Sequence, residues 1–227
     1  MQAFKGGPCE TDSAGVQGVD DMTLMIGIMA DSHGQDDTIR EALGVFADRG
    51  CDYIYHLGDV CDSTLPATVD TCMQLLLDHG VITLKGNNDQ AIVANHLDRE
   101  KSPVSQKILR SLQHLDLVKQ YRNGIFIHSL PFVQELGLSS MIGIMGQNEI
   151  RRFFKEYPKH ILFRGHSHSP EIAWMQAGQL KTGPLAAGAR LPLGDKIPCV
   201  ITCGALTRGL CLVWQPEENY IESISFR

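Results

Sequence analysis

Short apolar blocks ending abruptly on polar residues dominate the pattern along this chain. Met25-Ile26-Gly27-Ile28-Met29-Ala30 runs straight into Asp31-Ser32-His33-Gly34. A continuous apolar run of this length, bounded by turn residues, predicts a strand buried on both faces over 23–30. Ile39, Leu43 and Phe46 then recur at spacings of four and three, the stripe of an amphipathic helix over 36–48 that Gly50 closes. The unit repeats. A strand over 53–57 ends at Gly58-Asp59-Val60-Cys61-Asp62. A helix beginning at Pro66 carries Val69, Cys72 and Leu76 on one face and stops at His79-Gly80. A strand over 81–84 then meets Gly86-Asn87-Asn88-Asp89. Strands alternating with helices of this length predict right-handed crossovers and a largely parallel sheet.

Beyond this point two helices are expected, over 91–97 and 104–115, placed to cap a pocket between the polar strand ends. A strand over 125–127 ends at His128. Residues 131–145 are apolar and loop-like, suited to a lid or a contact surface. A helix over 148–157 precedes a strand over 160–164, which ends at Gly165-His166-Ser167-His168. After Pro170 the helical period disappears. Segments 171–175, 198–202, 209–214 and 220–226 read as antiparallel strands of a second sheet lying on the first. Residues 1–21 are Gly-rich and polar without an apolar period. They are expected to be a flexible extension, leaving 22–227 as a single domain.

Composition narrows the function classes. The chain has 227 residues, 43% hydrophobic and 20% charged, within the range of one globular domain with a sizeable core. A net charge of −6 argues against a nucleic-acid binder that relies on a general basic surface. No apolar run reaches the length of a membrane span, and the N-terminal residues lack the basic-then-apolar order of a secretory signal. Seven cysteines without a C-x-x-C pair read as reduced thiols, and a cytoplasmic location is expected.

The strand ends carry the chemistry. They deliver Asp31 and His33, then Asp59 and Asp62, then Asn87, Asn88 and Asp89, then His128, and finally His166 and His168. Borderline divalent cations accept both oxygen and imidazole nitrogen. Taken singly, each residue has an ordinary use: Asp31 as a helix cap, Asp59 or Asn87 in a turn, the histidines as loop or core residues. In series they predict one ligand set. Asp59 follows Asp31 by 28 residues and Asn87 follows Asp59 by 28, one crossover unit each, which would place them along one sheet edge at the carboxyl ends of neighbouring parallel strands. Asp62 reads as a cap or a structural support of the site, His56 as a hydrogen-bonded residue that is structural or stands behind the ligands, and Cys61 as packing. Arg164 and Arg208 are candidates for phosphate, with surface salt bridges as the competing use. Cys203 to Arg208 is one residue short of a C-x5-R phosphatase loop and lacks a following helix. No G-x-x-x-x-G-K-[ST] or G-x-S-x-G motif is present.

The series DSH, GDVCD, GNND, an isolated histidine after a strand, then GHSH resembles the calcineurin-like metallophosphoesterase superfamily over 23–227. Within it the chain is most similar to the small bacterial and archaeal phosphodiesterase branch. The resemblance implies an α/β fold of two packed mixed β-sheets flanked by helices. It also implies two divalent transition-metal ions, with manganese first and iron, zinc, cobalt or nickel also suited. Asp31, His33 and His168 would hold one ion, Asn87, His128 and His166 the other, and Asp59 would bridge them. The implied activity is hydrolysis of phosphodiesters or small phosphorylated metabolites, nucleotides among them, by a hydroxide shared between the two ions. Nucleotide polyphosphate hydrolysis, protein dephosphorylation and a non-catalytic scaffold are the alternatives. Every expected ligand position is filled, which disfavours the scaffold. One departure stands out: larger members have a histidine where this chain has Asn88. Asparagine donates a hydrogen bond but supplies no proton near neutral pH, so substrates with good leaving groups are expected. Asp59, Asn88 and Asp89 are the expected catalytic residues, Asp89 by orienting a neighbour. No membrane or nucleic-acid partner is expected. A homodimer contact through 131–145 stays open.

Overall fold

Two six-stranded mixed sheets lie face to face, and helices cover their outer faces. The computed structural model describes residues 24–226, so the extension expected over 1–21 lies outside the described residues. In chain order the first elements are β1 (Ile26–Met29), α1 (Asp36–Asp48), β2 (Tyr53–His56), a 3-10 turn at Pro66–Thr68, α2 (Val69–Asp78), β3 (Ile82–Thr83) and α3 (Asn87–His96). There follow α4 (Gln106–Gln113), β4 (Val118–Tyr121), β5 (Gly124–Ile127), α5 (Val133–Leu136), a 3-10 turn at Gly137–Met141, α6 (Gln147–Glu156) and β6 (Ile161–Arg164). The last part holds β7 (Glu171–Gln176), β8 (Gln179–Pro184), β9 (Arg190–Pro192), β10 (Cys199–Thr202), a 3-10 turn at Leu206–Arg208, β11 (Leu210–Gln215) and β12 (Tyr220–Ser225).

The first sheet has the order β3-β2-β1-β11-β12-β9, parallel from β3 to β1 and antiparallel beyond. The second has the order β4-β5-β6-β10-β7-β8, with β5, β6 and β10 mutually parallel. This corrects the expectation that the late strands form a sheet of their own. β1 and β6 each have an open edge, and an unpaired edge leaves backbone donors and acceptors without partners. The late strands divide to close both: β11 pairs with β1 and β10 with β6. β4, β8 and β9 were not expected as strands. All three lie at sheet edges and are partly exposed, so they carry no continuous apolar run.

Alternation explains the layering. Ile26 and Ile28 of β1, Phe126 of β5, Phe163 of β6 and Leu212 and Trp214 of β11 face one another between the sheets. Tyr55 stacks on Phe126 at 4.0 Å, Phe126 on Phe163 at 5.2 Å, and Phe163 meets Trp214 at 4.9 Å. Fully burying side chains of this size contributes about 1.5–3 kcal/mol each, which makes this row a principal tie between the sheets. On the outer face of the first sheet, Phe46 of α1 joins Met29, Val213 and the apolar faces of α2, α3 and α4. Gly27 permits this, since a Cβ there would stand 2.7 Å from the Phe46 ring. Phe153 and Phe154 of α6 cover the second sheet.

The helix expected over 104–115 does not cap a pocket. Ile108, Leu109 and Leu112 of α4 are buried against Val69, Cys72 and Met73 of α2, because its apolar stripe has a larger apolar surface to meet there. Lys85 donates from Nζ to the carbonyl of Gln113 at 2.6 Å, fixing the carboxyl end of α4.

Candidate metal centre

The loops after β1 and β2 are laced together. The Asp31 N–H donates to Gly58 O, His33 N–H to Asp59 O and Gly34 N–H to Val60 O, at 2.8–3.1 Å. The second sheet joins through His166, whose N–H donates to the Asp31 carboxylate at 3.0 Å, and through His128, whose Nδ1 meets Leu57 O at 2.8 Å. The site therefore spans the ends of both sheets, where a single sheet edge was expected. Asp31, His33, Asp59, His166 and His168 all adopt positive φ between 44° and 69°. For residues with a side chain this backbone costs about 1–2 kcal/mol each, and such strain concentrates at functional sites.

Two groups of donors result. In one, Asp31, His33 and His168 bring ligand atoms within 4.8 Å of one another; Asp59, His128 and His166 do so in the other. His33 Nε2 and His168 Nε2 are 3.1 Å apart, and His168 Nε2 is 3.6 Å from Asp31 Oδ1. His128 Nε2 is 3.2 Å from His166 Nδ1 and 3.2 Å from Asn87 Oδ1, so Asn87 belongs with the second group. Asp59 faces both. Its Oδ2 is 4.0 Å from His33 Nε2 and its Oδ1 is 3.6 Å from His128 Nε2.

Protonation suits cation binding. His128 Nδ1 is 2.8 Å from Leu57 O. A carbonyl only accepts, so Nδ1 carries the proton and Nε2 turns its lone pair inward. Burial lowers the affinity of His128 for a second proton, and burial likewise lowers His166 and His168. Asp31 is raised well above the ordinary carboxylate range, first by burial and then by the neighbouring Asp59. Buried carboxylates facing one another cost less with a cation between them. The donors are carboxylate oxygen, amide oxygen and neutral imidazole, and they fit divalent transition metals.

The remaining sequence candidates fall around this centre. Asn88 donates from its backbone N–H to Asp59 Oδ1 and from Nδ2 to Asp59 Oδ2, both at 2.8 Å, and its Oδ1 accepts from the Ser63 N–H. Asp89 is buried and accepts N–H groups from Asp59, Gly86 and Cys61 at 2.8–3.0 Å. Asp62 accepts from Thr64 within its turn, the use expected of it. His56 accepts the Gly58 N–H on Nδ1, so its Nε2 donates to Ser32 Oγ at 3.1 Å, and Ser32 passes a hydrogen bond to Val60 O. Arg164 is buried and donates to Ser129 O and Thr202 Oγ1, so its side chain props the loop after His128. Arg208 is exposed, and its positive charge is one of the causes that lower the affinity of His168 for a proton. Cys203 and Cys61 are buried, and burial pushes both thiols well above their usual range.

Sequence reading missed Ser129, whose hydroxyl donates to Gly143 O and ties the 137–145 stretch to the centre. A lone serine after His128 gives no signal of that contact.

A family model described as the calcineurin-like phosphoesterase superfamily domain matches residues 24–184. None of the curated proteins matches the chain. Among solved structures, a metallophosphoesterase from Sphaerobacter thermophilus is similar at 17% identity, with 90% of this chain and 89% of that one covered and a TM-score of 0.70. A hypothetical protein from Pyrococcus horikoshii is similar at 13% identity, covering 89% and 87%, with a TM-score of 0.62. A protein of Thermus thermophilus is similar at 13% identity, covering 91% and 100%, with a TM-score of 0.51. At these identities the likeness is one of fold.

Proposed function

The chain belongs to the calcineurin-like phosphoesterase superfamily, and on that premise we propose that it hydrolyses phosphodiesters or small phosphorylated metabolites with two divalent cations, manganese foremost. The observation that carries this reading is the position of Asp59, with one carboxylate oxygen toward His33 and the other toward His128. A carboxylate shared in this way suits a pair of cations and is superfluous for one.

When bound, the two cations supply Lewis acidity: they offset charge on the phosphoryl oxygens and lower the pKa of a water so that it attacks near neutral pH. The protein's own residues do the placing. Asp31, His33 and His168 hold one position, and Asn87, His128 and His166 the other. Arg208, whose positive charge acts on His168, is the side chain assigned here to the phosphoryl oxygens. In the reaction, the water oxygen bonds to phosphorus, the ester P–O bond breaks, and the departing oxygen keeps the electron pair. Asn88 supplies no proton to that oxygen, since its amide is held by Asp59 and Ser63. Esters whose leaving group is stable as an anion are therefore the better substrates.

The test is hydrolysis of bis(4-nitrophenyl) phosphate and 4-nitrophenyl phosphate by the chain reconstituted with Mn²⁺. Metal-dependent release of nitrophenol is expected. Absence of turnover on both esters, with metal bound, would contradict the reading.

A further inference from the structure

Among the described residues, two clefts reach the centre through His166 and Asn87, and one segment walls both. The larger, about 420 Å³, is lined by Ile144, Arg164, His166, Ser167, Ser169 and Glu171, among others. The smaller, about 220 Å³, is lined by Asn87, Gln90, Leu138, Ser139, Met141 and Ile142. His166 brings the first cleft to the centre and Asn87 the second, and both side chains stand 3.2 Å from His128 Nε2. The clefts thus meet the same cation position.

The stretch from Leu138 to Met145 runs between them and is pinned at two points. The Leu130 N–H donates to Ser140 O at 2.9 Å, and the Ser129 hydroxyl donates to Gly143 O. Gly143 lies so close to Leu130 that a Cβ would stand 2.0 Å from its Cδ1. On either side of this pinned glycine, the chain turns an isoleucine to each cleft. Ile142, 64% exposed, lines the smaller, and Ile144, 84% exposed, lines the larger. Large aliphatic side chains this open to water beside a polar centre mark a surface that a ligand covers.

We propose that residues 138–145 form a divider that seats the two organic arms of a phosphodiester separately. An arm carrying a ring with hydroxyl or amino groups, such as a nucleoside, lies against Ile144 and Glu171. A compact apolar arm lies against Ile142, Leu138 and Gln90. This inference rests on the phosphoesterase reading above and narrows its substrate class. A phosphodiester carries two arms on one phosphorus and fills both clefts, whereas a monoester fills one. The larger cleft pairs an apolar face with Ser167, Ser169 and a carboxylate that only accepts hydrogen bonds. Arg164 lines the same cleft, and its charge and that of Glu171 act on each other, which suits a neutral polar ring.

The test compares thymidine 5′-(4-nitrophenyl phosphate) with ethyl 4-nitrophenyl phosphate and with 4-nitrophenyl phosphate, using the full chain with Mn²⁺. The ratio of KM for the thymidine ester to KM for the ethyl ester is expected to rise about fivefold or more in Ile144→Ser and in Glu171→Gln. In Ile142→Ser, KM for the thymidine ester and KM for the ethyl ester are expected to rise together, leaving their ratio unchanged, because the smaller cleft seats the 4-nitrophenyl arm in both. Calorimetry with thymidine 5′-monophosphate reads the larger cleft without turnover, and its Kd is expected to rise in Glu171→Gln. Equal KM shifts across the three esters in Ile144→Ser and Glu171→Gln, or an unchanged Kd, would overturn the divider. So would a wild-type dimer that Ile144→Ser makes monomeric without altering the KM ratio, since a second copy would then cover these side chains. Wild-type cleavage of the monoester alone would overturn the divider and leave the phosphoesterase reading standing. Failure to cleave any of the three would overturn that reading and the divider together.

Discussion

Asp89 accepts the backbone N–H of Asp59 at 2.9 Å and so sets the direction in which the neighbouring carboxylate points. It also accepts from Gly86 and Cys61, and it is fully buried. An amide in its place keeps one acceptor oxygen and turns an NH₂ group toward a donor. Asp89→Asn is therefore expected to lower unfolding free energy by about 2–4 kcal/mol and to weaken cation binding by about 10- to 100-fold. Denaturant unfolding and metal titration check the two effects. A variant with wild-type stability and metal affinity would remove Asp89 from its orienting role.

Gly86 lies against the same carboxylate. A Cβ there would stand 2.2 Å from both Asp59 N and Asp59 Oδ1. Gly86→Ala is expected to displace Asp59 and to lose metal and activity together. Gly44, in the middle of α1, has nothing within 4 Å of its Cβ position, and Gly44→Ala is expected to add about 0.5–1 kcal/mol of stability. Metal analysis and thermal unfolding of the pair separate steric damage at the centre from helix propensity.

Asn88→His tests the leaving-group account. The amide grips Asp59 Oδ2 at 2.8 Å, and an imidazole in that position brings a group that donates a proton near pH 7. Turnover of alkyl esters is expected to rise about tenfold or more relative to nitrophenyl esters. An equal change on both classes would contradict the account.

His56 gives a pH dependence of stability. Burial first, then His128 and His33, lowers its pKa to about 3, below the ordinary value of about 6.5. The unfolded chain therefore takes up the proton first as pH falls. The contribution of neutral His56 is fully present above about pH 6.5 and is lost progressively as pH falls toward about 3, by a few kcal/mol. Stability of His56→Gln measured over this window, with metal removed, is expected to fall less steeply than that of the wild type. Parallel curves would show that His56 does not set the slope.

The residues that meet at the centre were legible in the sequence because burial and chemistry leave adjacent marks. Strands buried on both faces, such as β1 and β6, write unbroken apolar runs, and Asp31 or His166 follows where the run stops. The helix over 36–48 was legible to its residue limits from Ile39, Leu43 and Phe46. The division of the late strands was not, because pairing of β11 with β1 joins residues far apart in sequence and no local pattern records which edge is open. The left-handed backbone at Asp31, His33, Asp59, His166 and His168 was hidden as well, since none of them is a glycine. The two clefts were hidden because 131–145 has no period, and its role depends on single contacts such as that of Ser129 with Gly143.

Metal content of the wild type and of Asp59→Asn, measured after reconstitution and removal of free metal, tests the central claim most directly. The account predicts about two cations per wild-type chain, and loss of both from the variant together with its activity, because the two positions share Asp59. A wild type that holds one cation, or a variant that keeps two and turns over, would contradict the shared carboxylate.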